Sequence, residues 1–207
     1  MRYILTRNYA IIYYLYKSMS MKIIGLDLSI NSTGICIYKK SEQKSYNKYL
    51  IISGKDTKKL REFSHKRITI EIYDKKDVSK ATDYSSKESV KSYNIYSIAK
   101  SIERVIKKEK PDLCVIEGVS YSSSGAVADL AGLNYMVRYI LEENHIAFKI
   151  LSPMQNKKLA TGNGGADKDL MIDAWKRLDK DINNIESIKT DDLADAFFLA
   201  HSIDEAD

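Results

Sequence analysis

Residues 21–38, MKIIGLDLSINSTGICIY, decide the fold. Met21 to Leu28 form a short apolar run that is interrupted by one acid, which predicts a buried β-strand. The turn-forming segment SINST follows, and Gly34 to Tyr38 predict a second strand. Asp27 therefore lies inside the first strand. It has no packing role there, because burial of an unpaired charge is energetically unfavourable.

The rest of the chain predicts a mixed sheet flanked by helices. The further predicted strands cover residues 50–54, 68–73, 113–117 and 146–151. The predicted helices cover residues 85–109, 126–144, 167–178 and 191–202, and another helix begins at Ser152-Pro153. We expect the first four strands to pair antiparallel with one another and the run LCVIE to form a central parallel strand. This order of elements indicates an α/β fold.

The composition is that of an ordinary globular protein in a reducing compartment. The 207 residues fit one domain, with 44% apolar and 29% charged residues. Cys36 and Cys114 lie far apart within apolar runs, which predicts two reduced core thiols and neither a disulfide nor a zinc site. We therefore expect a cytoplasmic protein without stable membrane association.

Residues 1–20, MRYILTRNYAIIYYLYKSMS, differ in character from the rest of the chain. The apolar run from Tyr9 to Tyr16 is too short to span a bilayer, and it lacks the small-residue cleavage site of a secretory signal. We interpret residues 1–20 as an N-terminal extension of little functional weight. A weakly membrane-attracted or dimer-contacting segment is the alternative, and the main domain is expected over residues 21–207.

Positive charge is concentrated between Lys39 and Lys80. This stretch has 13 Lys and Arg against 6 Asp and Glu, whereas the whole chain has a net charge of +5. A basic stretch in an otherwise slightly acidic chain suits a surface that follows DNA phosphates. A solvated, lysine-rich loop is the alternative.

Four acids stand where the predicted fold would bring them together. Glu117 ends the strand LCVIE, at the carboxyl edge where the sites of open α/β sheets usually lie. Asp192 and Asp195 are three residues apart at the start of the last helix, so they share one helix face. Taken singly, Asp192 could be a helix N-terminal charge and Glu117 a solvated strand end. Asp27 and Asp195, embedded in GLDL and LADAFFLA, are harder to explain without a function.

Converging carboxylates are typical of a site that holds hard cations. Hydrolysis of a phosphodiester needs an activated water and a stabilised leaving oxygen, beside a phosphate that carboxylates alone would repel. Two Mg²⁺ or Mn²⁺ ions held about 3.5–4 Å apart reverse the charge of such a site. The chain has three histidines, which disfavours a histidine-based zinc hydrolase.

Four blocks of the sequence resemble the RuvC family of Holliday-junction resolvases and occur in that family's order. The blocks are IGLDLSINSTGICIY, VIEGVSYSSSGAVADLAGLNYMV, SPMQNKKLATGNGGADKDLMIDAW and TDDLADAFFLA. One block alone is a weak signal, but the four together cover most of the chain from Met21 onward. The resemblance implies an RNase H-like fold with a mixed five-stranded sheet, forming a nuclease domain over residues 21–207.

The resemblance also implies an activity and the residues that carry it. It implies a magnesium-dependent endonuclease that cleaves four-way DNA junctions, with two Mg²⁺ in each active site that Mn²⁺ would replace. The implied metal ligands are Asp27, Glu117, Asp192 and Asp195, and the implied cations near the scissile phosphates are Lys158 and the catalytic Lys168. The resemblance also favours a homodimer whose interface lies on the helix at 126–144. A two-fold enzyme matches a substrate with two equivalent strands to cut.

The chain departs from the family pattern in two places. The aromatic residue that commonly follows the catalytic glutamate by three positions is replaced by Ser120, and Tyr121 comes one position later. Tyr121 would stack on an unpaired junction base, or it would merely cover the adjacent helix. The lysine-rich insertion at 50–87 is longer than expected, which favours a phage or viral member that acts in the host cytoplasm.

Two other functions stay open on the sequence alone. One is an RNase H-like nuclease that acts on flaps, other branched DNA or RNA. The other is a junction-binding module that has lost its chemistry, and the presence of all four acids weighs against it.

Overall fold

The computed structural model describes residues 20–41, 44–61, 67–119, 127–182 and 191–204. The strands in these ranges are β1 (Met21–Asp27), β2 (Ser32–Lys40), β3 (Tyr46–Ser53), β4 (Ile68–Ile72), β5 (Leu113–Glu117) and β6 (Ala147–Leu151). The helices are α1 (Lys58–Arg61), α2 (Tyr84–Glu109), α3 (Val127–Glu143), α4 (Pro153–Thr161), α5 (Lys168–Leu178) and α6 (Asp191–His201). A 3₁₀ turn at Val78–Lys80 precedes α2. The extension predicted for residues 1–20 lies, apart from Ser20, outside the described residues.

The strands form one mixed sheet in the order β4-β3-β2-β1-β5-β6. β1 is central, because it pairs antiparallel with β2 and parallel with β5. The α/β class and the mixed sheet are as predicted, but the expected count of five strands is wrong, because β4 adds a sixth strand beside β3. The predicted antiparallel pairing was also wrong at β4, which runs parallel to β3. Residues 54–67 separate β3 from β4, which is a connection long enough for the crossover that a parallel pair requires.

One face of the sheet is covered by α6, whose backbone lies directly against β1 and β2. A Cβ atom on Gly25 would overlap the carbonyl of Ala196, and a Cβ atom on Gly34 would overlap the carbonyl of Asp192. These two glycines therefore allow a helix–strand approach that no larger residue permits. The approach sets the first turn of α6 beside the end of β1.

The opposite face is covered by α2 and α3. Of the apolar residues that the pattern of the helix at 126–144 predicts to be core, Leu133, Val137 and Leu141 are fully buried, and Leu130 is partly buried against them. Cys36 and Cys114 are both buried and free, as predicted. Within the described ranges, no helix is both long and apolar enough to cross a membrane.

Candidate active site

The four predicted carboxylates meet at one edge of the sheet. Asp27 ends β1 and Glu117 ends β5, and these two neighbouring parallel strands end side by side. Asp192 lies in the first turn of α6, and Asp195 follows three residues later on the same helix. Gly34 is paired with Asp27 across the β1–β2 ladder, and the main chain of Asp192 lies over Gly34. The fold therefore brings the two helix acids to the two strand-end acids.

Burial and mutual repulsion raise the pKa of these carboxyl groups. For Asp195 burial is the largest cause, repulsion from Glu117 comes next, and together they raise its pKa to about 7. The pKa of Asp27 is raised well above its ordinary value, again first by burial and then by Glu117 and Asp195. Burial also raises the pKa of Asp192, while a hydrogen bond from the Ser32 hydroxyl partly lowers it. Such shifts in a group of neighbouring acids are typical of functional sites.

Two residues of α4 offset part of the repulsion between Glu117 and Asp195. The Asn156 Nδ2 lies 3.3 Å from Glu117 Oε2 and 3.2 Å from the main-chain oxygen of Asp195. The charge of Lys157 lowers the pKa of both carboxyl groups. Lys158, the α4 cation implied by the resemblance, is exposed. The sequence did not single out Asn156 or Lys157, because successive helix residues point about 100° apart and the rotation of α4 was unknown.

Lys168 lies at the opening of the acidic cluster. It is the first residue of α5, its side chain is 79% exposed, and it forms a salt bridge with Asp191 at the start of α6. The hydrogen bond with Asp191 raises the pKa of Lys168, and the charges of Asp192 and Asp195 add to this effect. Tyr121, the remaining residue predicted to contact DNA, lies outside the described residues.

A cavity of about 110 Å³ adjoins Asp27 and Glu117. Asn134 of α3 lines this cavity, and its Nδ2 donates a 2.9 Å hydrogen bond to the main-chain oxygen of Glu117. The Asn134 Oδ1 is buried and has no hydrogen-bond partner within the described ranges. The cavity is large enough for water molecules, which would satisfy this oxygen.

The residues present fit a hard divalent cation. All four predicted ligands offer carboxylate oxygens, the donors that Mg²⁺ and Mn²⁺ prefer. The raised pKa values of Asp27 and Asp195 mean that their charged forms are disfavoured, first by burial and then by the neighbouring acids, and a bound cation would stabilise these charged forms. In the parts of the chain that the structure describes, no three His, Cys, Asp or Glu side chains are arranged as a ready-made metal site.

Comparison with known proteins agrees with this geometry. The family model described as "Crossover junction endodeoxyribonuclease RuvC" matches residues 81–202, more than half of the chain. A curated RuvC of Gloeobacter violaceus is 30% identical over 104 residues, which are 50% of this chain and 58% of that protein. A RuvC of Prochlorococcus marinus is 27% identical over 103 residues, 50% of this chain and 65% of that protein. The chain thus spans somewhat less than two thirds of the length of these relatives.

A solved structure shows the same fold. Thermus thermophilus RuvC in complex with Holliday junction substrate superposes with a TM-score of 0.55 and 16% sequence identity, over 87% of this chain and 90% of that chain. At this identity the likeness concerns the fold, which is RNase H-like as expected. With the family model matched over residues 81–202, the chain belongs to the RuvC family.

Proposed function

We propose that this protein is a metal-dependent endonuclease that cleaves four-way DNA junctions by phosphodiester hydrolysis. The observation that carries the proposal is the meeting of Asp27, Glu117, Asp192 and Asp195 at one sheet edge, in a member of the RuvC family. These four carboxylates would hold two Mg²⁺ ions, for which Mn²⁺ would substitute. When bound, the ions supply an activated water and stabilise the leaving 3′ oxygen.

The other side chains of the site would bind and orient the DNA. Lys157 lies beside Glu117 and Asp195, and Lys168 lies at the opening of the cluster, so both offer a positive charge to the phosphates next to the cut. In the absence of DNA, Lys168 is paired with Asp191. A phosphate that approaches the site would compete with Asp191 for this ammonium group. Lys158 would contact DNA further out, from the exposed side of α4.

The proposed active form is a homodimer. Helix α3 exposes Tyr135 and Tyr139, one turn apart, together with the neighbouring Met136, with exposed fractions of 61%, 63% and 37%. Tyrosine and methionine are enriched at protein interfaces. A two-fold arrangement would present two sites to the two equivalent strands of a junction. Light scattering at assay concentrations tests this, and a monomer that cuts both strands would contradict it.

The proposed nuclease domain covers residues 21–207, and the proposed location is the cytoplasm. The two buried, unpaired cysteines fit a reducing compartment. A phage or viral origin stays a prediction from the length of the insertion at residues 50–87.

The decisive experiment compares substrates. Purified protein is incubated with labelled four-way junctions, flaps and linear duplex, with and without Mg²⁺. We expect Mg²⁺-dependent cuts near the crossover of the junction and little cutting of linear duplex. A preference for flaps would identify a related nuclease with another substrate. Junction binding without cutting under every metal condition would identify a catalytically silent module.

A further inference from the structure

A buried amide connects two of the site carboxylates. Asn156 is completely buried on α4, and its Nδ2 contacts Glu117 Oε2 at 3.3 Å, the Asp195 main-chain oxygen at 3.2 Å and Asp195 Oδ1 at 3.5 Å. One NH₂ group thus faces three oxygen atoms that belong to two different elements, β5 and α6.

The orientation of this amide is decided by chemistry. The three neighbouring atoms are a carboxylate oxygen of Glu117 and two oxygens of Asp195, and all of them are acceptors. Only the NH₂ side of an asparagine can face them, because its carbonyl side would place oxygen against oxygen. The Asn156 Oδ1 therefore points away from this contact, and it has no hydrogen-bond partner in the described parts of the chain.

The position of Asn156 is held by the start of α4. Ser152 caps the helix, its side chain accepts from the Gln155 amide, and the Asn156 amide donates to the Ser152 carbonyl. An unsatisfied buried amide oxygen is unfavourable, so core packing alone would favour an apolar residue here. A buried polar group retained at such a cost calls for a specific role.

We propose that Asn156 is a positioning residue that holds the Glu117 and Asp195 carboxylates side by side, so that both act on one bound cation. This inference rests on the proposed function. A neutral donor suits the task, because it reduces the repulsion between the two acids without adding a positive charge that would compete with the cation. Asn134 supports the same arrangement from the other side, since it binds the main-chain oxygen of Glu117. Glu117 is thus held at its backbone and at its carboxylate.

The test measures cation binding directly, in the absence of DNA. Mn²⁺ binding to the wild-type protein and to Asn156→Ala and Asn156→Leu is followed by electron paramagnetic resonance. Leu keeps the branched shape of Asn but is larger and donates no hydrogen bond, so the smaller Ala and the larger Leu together separate positioning from packing. We expect both variants to bind Mn²⁺ about 10–100-fold more weakly, as is usual when a group that orients a metal ligand is lost. The Mg²⁺ concentration for half-maximal junction cleavage should rise by a similar factor.

A matched control is Asn94→Ala on α2. Asn94 is also buried, and its amide exchanges two hydrogen bonds with the main chain of Lys76. This variant should lose stability without any change in Mn²⁺ affinity. If the Asn156 variants lose stability as Asn94→Ala does but keep the wild-type Mn²⁺ affinity, Asn156 is merely structural and the inference is overturned.

The inference and the proposed function fail in different ways. Wild-type protein that binds Mn²⁺ but does not cut junctions would overturn the proposed function and leave the role of Asn156 intact. Wild-type protein that cuts junctions, with unchanged cation affinity in both Asn156 variants, would overturn the inference alone. Wild-type protein that binds no divalent cation would overturn both.

Discussion

Asp195→Asn should make the cation-free protein more stable while removing its activity. The Asp195 carboxylate is partly buried beside Glu117, Asp191 and Asp192, and this environment raises its pKa to about 7. An Asn side chain has the same shape, and its oxygen can still accept from Asn156. The substitution therefore removes the repelled charge and little else.

The size of the effect follows from the raised pKa. The difference between about 7 and the ordinary value of 3.8 corresponds to at most about 4 kcal/mol of unfavourable free energy on the charged form. Because Asp195 is only partly buried and water screens the repulsion, we expect a gain of about 1–2 kcal/mol in the free energy of unfolding. The folded-state pKa is raised, so the penalty is absent below about pH 4 and complete above about pH 7. The advantage of the variant should therefore grow as the pH rises.

Urea unfolding with EDTA at pH 8 and at pH 4 measures this difference. Trp175 is the single tryptophan of the chain and is fully buried, so its fluorescence reports unfolding. Added Mg²⁺ should make the wild-type protein more stable than the variant, because a cation at a hundred times its dissociation constant stabilises the wild-type protein by about 2.7 kcal/mol. Asp173→Asn, an exposed change within α5, is the control and should have little effect.

The reasoning would be refuted by a variant that is no more stable than the wild type at pH 8 without cations. The Asp195 carboxylate would then make a net favourable contact in the cation-free protein. A stability gain that is equal at both pH values would instead point to better packing.

Four further predictions concern the DNA-facing residues and the helix–strand contact. Asp27→Asn and Glu117→Gln should abolish cleavage and largely keep junction binding, because contacts with phosphates carry most of the affinity. Cleavage and gel-shift assays on one labelled junction measure the two effects. Parallel loss of cleavage and binding would contradict the assignment. Lys168→Ala should slow single-turnover cleavage by about ten- to a thousand-fold, whereas an unchanged rate at saturating DNA would make Lys168 an ordinary surface charge. Tyr121→Ala should impair the cutting of intact junctions more than that of nicked ones, because stacking on an unpaired base, worth about 1–3 kcal/mol per base, is lost. Equal cutting of both substrates would mean that another residue opens the junction. Gly34→Ala should lower the free energy of unfolding, measured with urea, by about 1–3 kcal/mol or more, because the Cβ atom of the alanine would overlap the Asp192 carbonyl. An unchanged free energy of unfolding would mean that α6 shifts freely.

The sequence by itself predicted the class of fold and the four acids that this fold brings to one edge of the sheet. Asp27 and Asp195 are identifiable because a charge within an apolar run has no packing explanation. Glu117 is identifiable because it ends an apolar strand, and the carboxyl ends of parallel strands share one edge of a sheet. These are local patterns, so they need no knowledge of the tertiary contacts.

The tertiary structure decided the details that depend on long-range packing. The edge strand β4 was predicted as an element, but its parallel direction is seen only in its register with β3, which no local sequence pattern encodes. Asn156 contacts Glu117 and Asp195, Lys157 lies beside them, and Lys158 is exposed. The packing of α4 against the neighbouring helices and its cap at Ser152 set this rotation of the helix. Adjacent residues of a helix point about 100° apart. The sequence pattern therefore indicates a stretch of α4, and only the packed structure shows which of its residues lie beside the acids.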